Sequence, residues 1–121
     1  MLTTEEIAKS GFATRAVHVG AEKNMYGTLA APIYQTSTFI FENAEQGGRR
    51  FALEEEGYIY TRLGNPTCNA VEQKVASLEG AEACVSASSG MGAITSAIWV
   101  CVQAGDHIVA GKTLYGCTYA F

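Results

Sequence analysis

Ala87-Ser88-Ser89-Gly90-Met91-Gly92-Ala93-Ile94 is the stretch whose reading decides the fold of this 121-residue chain. The run before it, Ala83-Cys84-Val85-Ser86, has the residues of a short buried strand, and the run after it is apolar with helical character. Small residues between a strand and a helix serve two purposes. They allow close packing, and they build an anion cradle, in which serine hydroxyls donate and glycines let a phosphate approach. The free N–H groups of the first helical turn then face the charge with the helix dipole behind them. Both readings fit the stretch on its own. Its neighbours, Tyr60 and Arg62 upstream and Tyr115 downstream, favour the cradle.

Downstream, the apolar helix is expected to run from about residue 91 to 104 and to be buried. Gly92, Thr95, Ser96 and Gln103 interrupt it, and it is too short to span a bilayer. Gly105-Asp106 forms a turn into a second strand, His107-Ile108-Val109-Ala110. Strand, helix and strand of these lengths describe a right-handed βαβ unit on a parallel sheet, the opening of an α/β domain. Tyr115 then falls at the carboxyl end of the second strand, where such sheets hold ligands. A tyrosine there can stack on an aromatic cofactor and act as acid or base, or it can simply pack. Cys117 is either a thiol activated by a phosphate-binding environment or an inert buried one.

Upstream, Asn65-Pro66 marks a helix start, cap followed by proline, and Gly80 marks its end. Val71, Val75 and Leu78 share one face of this helix, and Glu72, Gln73 and Lys74 the other. Gly57-Tyr58-Ile59-Tyr60-Thr61-Arg62 alternates like a strand, which puts Tyr60 and Arg62 on one side. A guanidinium binds phosphate bidentately and a phenol adds a donor, although an exposed Tyr–Arg pair is also common surface decoration. Arg49-Arg50 and Glu54-Glu55-Glu56 read as solvated surface. From Phe12 to Phe41 no period is sustained despite many apolar residues, which fits an extended arm lying on another surface. Residues 3 to 10 are expected to form a short helix capped by Thr3 or Thr4.

The composition, 48% apolar and 17% charged with net charge −4, offers no basic face for nucleic acid. Cys68, Cys84, Cys101 and Cys117 have no metal-ligand spacing and read as buried or near-buried free thiols in a reducing compartment. The acidic start, Met1 to Glu6, lacks the order of a signal peptide, so a cytoplasmic protein is expected. Gly111-Lys112-Thr113 is not a Walker loop, because five residues rather than four separate Gly105 from Gly111. Gly90-x-Gly92 is not a dinucleotide fingerprint either, since Thr95 stands where a third glycine belongs.

Ala31 to Phe39, Gly57 to Thr67, Ser88 to Ile94 and Leu114 to Thr118 together resemble, in order and spacing, the amino-terminal third of the cysteine/methionine-metabolism family of pyridoxal-phosphate enzymes. That resemblance implies a fold type I large domain with a mainly parallel sheet, beginning at residue 61 after an arm over residues 1–60. It implies pyridoxal 5'-phosphate as cofactor, with Gly90 and Met91 on its phosphate through backbone N–H groups. Tyr60 and Arg62 would reach the same phosphate from the adjacent subunit of a dimer of dimers. Tyr115 would stack on the pyridine ring and act at the substrate's γ-leaving group. Cysteine at 117, where many members carry glycine, resembles the branch that splits methionine to methanethiol, 2-oxobutanoate and ammonia. The alternatives are O-acetylhomoserine sulfhydrylation and cystathionine γ-elimination. Lys9, Lys23, Lys74 and Lys112 match no cofactor-lysine motif, so the chain is expected to be the front of a longer enzyme. A non-catalytic anion-binding or dimerisation module is the reading from a different class.

Overall fold

The computed structural model describes residues 4–20 and 23–121. Its helices are α1 (Thr4–Ala8), α2 (Phe12–His18), α3 (Ala44–Phe51), α4 (Pro66–Glu79), α5 (Gly90–Cys101) and α6 (Gly116–Ala120). The chain divides into two compact units, one reaching to Val85 and the other running from Ser86 to Phe121.

In the first unit α4 is the organising element, and its two ends are as the residues predict. Asn65 caps it by accepting from Thr67 N–H at 2.8 Å, with Pro66 at the first position. Gly80 closes it in the left-handed conformation (φ 67°), and Ala81 N–H returns to the Ala76 carbonyl, which satisfies carbonyls the helix leaves open.

The face that α4 uses is not the expected one. Val71 and Val75 are 54% and 41% exposed, and the buried apolar residue is Ala76. The side that meets α2 carries Ala70, Lys74 and Ser77 at helical spacing. Lys74 Nζ donates to the Val17 carbonyl, Arg15 donates to the Ser77 carbonyl, and the α-carbon of Gly20 lies against the Ala70 backbone. Small residues let the two backbones approach, while the valines await other surfaces.

Helix α2 itself was not expected, since Phe12–His18 lies where no period was read. It has no side-chain cap, and its last turn is held by the polar contacts to α4. The helix expected over residues 3–10 is shortened to Thr4–Ala8, and the cap expected at Thr3 lies outside the described residues.

The charge clusters are at the surface as expected for Arg49, Glu54 and Glu56, while Arg50 and Glu55 are partly enclosed. Asn43 caps α3 by accepting from Gln46 N–H, and Gln46 Oε1 accepts in return from Glu42 N–H. Glu55 then folds back on the helix, paired with Arg49 at 2.8 Å and Arg50 at 3.4 Å. Opposite charges six and five residues apart close the loop after α3 instead of standing apart in water.

The second unit is built on α5, capped by Ser89, whose hydroxyl accepts from Gly92 N–H at 3.0 Å. Helix α6 packs on α5, with the Trp99 and Phe121 rings 5.9 Å apart. The expected burial of α5 is not seen: Trp99 is 70% and Val100 87% exposed. The turn after α5 forms at Gly105 (φ 102°), with Gln103 N–H donating to Asp106 Oδ2 at 2.7 Å.

Among the described residues no strand forms, and the expected strands at 83–87 and 107–110 have no regular secondary structure and no ladder. The sole sheet-like pairing described is an antiparallel bridge between Thr38 and Tyr60. The four cysteines are free, as expected, but Cys68, Cys101 and Cys117 are exposed and Cys84 half-buried.

Candidate cofactor-binding site

The segment carrying Tyr60 and Arg62 is fixed from several sides. Phe39 N–H donates to the Ile59 carbonyl at 3.1 Å and Thr61 N–H to the Ser37 carbonyl at 2.9 Å, flanking the Thr38–Tyr60 bridge. Leu63 and Gly64 N–H both turn back to the Tyr60 carbonyl, at 2.8 and 3.1 Å. The Arg62 guanidinium lies 5.6 Å from the centre of the Tyr60 ring, close enough for a cation–π contact. The two side chains are therefore gathered, but by the turn after Tyr60 and not by the strand alternation expected over residues 57–62. Both remain open to a ligand, with Arg62 exposed and Tyr60 39% exposed.

Asn65 plays a larger part than its cap role announces. Only 3% exposed, it donates from Nδ2 to the Tyr34 carbonyl (2.9 Å) and to Thr61 Oγ1 (3.0 Å), while Oδ1 caps α4. Tyr34 N–H donates to Thr67 Oγ1 at 2.8 Å, and Thr61 Oγ1 donates to the Thr36 carbonyl. One amide thus ties the 34–36 segment, the Tyr60–Arg62 turn and the start of α4 together. The Asn-Pro pair signalled the cap, but nothing local signalled the partners across 31 residues.

In the second unit, Gly90 and Met91 open α5. Gly92 N–H is taken by Ser89 Oγ and Ala93 N–H by the Ser89 carbonyl. The N–H groups of Gly90 and Met91 come one turn too early for a partner inside the helix. A side chain added at Gly90 would meet nothing within 4 Å, whereas one at Gly92 would press on Ser89 Oγ at 3.1 Å. Ser89 therefore sets the turn, and the Gly90 side stays open to an approaching group. Two outward N–H groups at the positive end of a twelve-residue helix fit a phosphate.

Tyr115 is at the N-cap of α6 and 68% exposed, not at the end of a paired strand, because the preceding run has no ladder and the chain coils at Gly116. Cys117 is in α6 and exposed. Thr118 Oγ1 donates to Met91 Sδ at 3.5 Å, so the helix bearing Cys117 is joined to the first turn of α5. Thr118 was not singled out from the sequence, since a hydroxyl-to-thioether contact has no local signature. Of the six expected site residues, Tyr60 and Arg62 belong to the first unit, and Gly90, Met91, Tyr115 and Cys117 to the second.

Residues 13–121 match the model of the Cys/Met metabolism PLP-dependent enzyme family. The L-methionine gamma-lyase of Porphyromonas gingivalis is 74% identical over 97% of this chain and 29% of its own length. That of Treponema denticola is 70% identical over 99% of the chain and 30% of its own length. The O-acetyl-L-homoserine sulfhydrylase of Corynebacterium glutamicum is 47% identical over 89% of the chain and 25% of its own length. In structure, an O-acetylhomoserine (thiol)-lyase from Campylobacter jejuni, crystallised with N'-pyridoxyl-lysine-5'-monophosphate, superposes with a TM-score of 0.83 at 33% identity, over 93% of this chain and 28% of that one. This chain thus spans less than a third of the length of these relatives. Its motifs, its fold and the family match lead to one conclusion: the chain belongs to the Cys/Met metabolism family of PLP-dependent enzymes.

Proposed function

We propose that this chain is the amino-terminal part of an enzyme that converts L-methionine and water to methanethiol, 2-oxobutanoate and ammonia. Identity of 70% and 74% to proteins named L-methionine gamma-lyase, against 47% to a sulfhydrylase, supports that choice within the family. The single structural observation behind it is the Ser89-capped helix α5, whose Gly90 and Met91 N–H groups are left to an anion.

Bound pyridoxal phosphate supplies an electron sink for bond breaking at the substrate's Cα. The chain's own residues bind and orient. Gly90 and Met91 hold the phosphate through backbone N–H groups, aided by the α5 dipole. Tyr60 and Arg62 reach the same phosphate from the neighbouring subunit, so that each site is shared across a dimer and two dimers make a tetramer. Tyr115 would stack on the pyridine ring and deliver a proton to the methionine sulfur as the Cγ–Sδ bond breaks. Cys117, two residues further on in α6, would favour methionine over the substrates of the family's other branches.

In this reading residues 1–60 are the arm that contacts the neighbouring subunit. Residues 83–87 and 107–110 join a mainly parallel sheet completed by the rest of the domain. Among the described residues no helix is long and apolar enough to cross a membrane, and we place the enzyme in the cytoplasm.

The test is an assay of the full-length protein, saturated with pyridoxal phosphate, on L-methionine and separately on O-acetylhomoserine with sulfide. Release of 2-oxobutanoate and methanethiol should exceed homocysteine formation in kcat/KM. The reverse order would move the chain to the sulfhydrylase branch, and no turnover of either would favour a non-catalytic module.

A further inference from the structure

Arg50 touches none of the residues assigned to the cofactor, yet it is built into the segment that carries two of them. Its guanidinium rests on Gly57, where an added Cβ would fall 2.5 Å from Cζ and Nε. Gly57 is at φ 154°, a backbone that favours glycine. Nη1 donates to the Tyr58 carbonyl at 3.2 Å, Nε lies 3.4 Å from Glu55 Oε1, and Cζ stands 5.8 Å from the centre of the Phe41 ring. Glu55 is itself held by Arg49 and by Gln46 Nε2 at 2.9 Å. The Arg50 side chain is only 19% exposed, more enclosed than a solvated surface arginine.

From there the connection to the site is short. The Tyr58 ring packs on Phe39 at 5.2 Å, the Ile59 carbonyl accepts from Phe39 N–H, and Tyr60 bridges Thr38. Arg62 closes on the Tyr60 ring. We propose that Arg50 is a positioning residue, which sets how tightly the cofactor phosphate is held by fixing the backbone at Gly57 and Tyr58 behind Tyr60 and Arg62. This rests on the assignment of Tyr60 and Arg62 to the phosphate. A glycine that admits the guanidinium and a carboxylate that orients it make the support a designed one. Outer partners of metal ligands change affinity by about 10- to 100-fold when lost, and an effect at the lower end of that range is expected for a partner of the phosphate-binding segment.

Equilibrium binding of pyridoxal phosphate and of pyridoxal, which lacks the phosphate, to the full-length apoprotein tests the idea. Arg62→Ala should weaken pyridoxal phosphate by about 10- to 100-fold and leave pyridoxal unchanged, as loss of a charge-assisted pair requires. Arg50→Met should weaken pyridoxal phosphate by about tenfold, again sparing pyridoxal, and should add little in the Arg62→Ala background. If Arg62→Ala fails to discriminate the two ligands, the phosphate assignment falls and this inference with it. If Arg62→Ala discriminates but Arg50→Met weakens both ligands alike, or adds its full factor to Arg62→Ala, the inference alone is overturned. Should Arg50→Met not fold, Arg50→Lys enters the same cycle, since lysine can pair with Glu55 without also holding the Tyr58 carbonyl.

Discussion

Replacing Asn65 should be among the most damaging single changes in the first unit, although the residue has no direct role in chemistry. Asn65→Ala removes the cap on Thr67 N–H, a loss of about 1 kcal/mol. It also leaves the Tyr34 carbonyl and Thr61 Oγ1 without their Nδ2 donor, at about 0.5–1.5 kcal/mol for each bond. With the side chain 97% enclosed, water has little room to substitute, so a total of about 2–4 kcal/mol is expected. Asn65→Ser separates the contributions, because its shorter hydroxyl can still cap α4 and cannot span to Tyr34. It should cost about 1–3 kcal/mol. Amide hydrogen exchange in the full-length protein reads the effect locally. Protection at Tyr34, Thr61 and the first turn of α4 should drop in the alanine variant, while the serine variant should keep protection at Thr67. If Asn65→Ala exchanged no faster there than the exposed control Glu79→Ala, the hub described above would not exist in solution.

Gly20→Ala should loosen the docking of α2 on α4, since the new Cβ would lie 2.1 Å from the Ala70 carbonyl oxygen at a residue with φ 75°. A cost above about 2 kcal/mol is expected, visible as earlier proteolysis within residues 12–20. The Glu55 carboxyl is held below its ordinary value of 4.5, first by the hydrogen bond from Arg49 and then by Gln46 and the charges of Arg49 and Arg50, against an opposing desolvation. Its stabilising effect is therefore present in full above pH 4.5 and is lost as the pH falls through the lower folded value. Glu55→Gln should make protection of the 53–57 loop less dependent on pH across that window, and an unchanged profile would count against the pairing. Tyr115→Phe in the full-length enzyme should slow methanethiol release by about 10²-fold or more while cofactor binding is retained. Undiminished turnover would remove Tyr115 from proton transfer.

Several of these features could be read before any coordinates, and they share a physical cause. Asn65, Pro66, Gly80, Ser89 and Gly90 act through their own backbone or the next turn, so chemistry three or four residues long is enough to place both ends of α4 and the start of α5, whereas α5 stops at Cys101 and not near 104 as expected. Tyr60 and Arg62 do come together, but through a turn at residues 61–63 where alternation of an extended backbone was expected. Features that depend on distant partners were not legible. Helix α2 has no cap and relies on contacts to α4 some sixty residues on, at Lys74 and Ser77. The valine face of α4, the apolar side of α5 and the runs before and after it carry hydrophobic patterns that state a need for burial without naming what supplies it.

The amino-acid sequence by itself determined both ends of α4, the start of α5 and the family, because each rests on short-range geometry or on motifs in order. Tertiary structure alone decided which side of α4 meets α2, how Glu55 closes on Arg49 and Arg50, and that Asn65 joins three segments. Those outcomes depend on which backbones can approach most closely and on which buried donors find acceptors far along the chain, and neither condition has a spacing that a linear reading can detect.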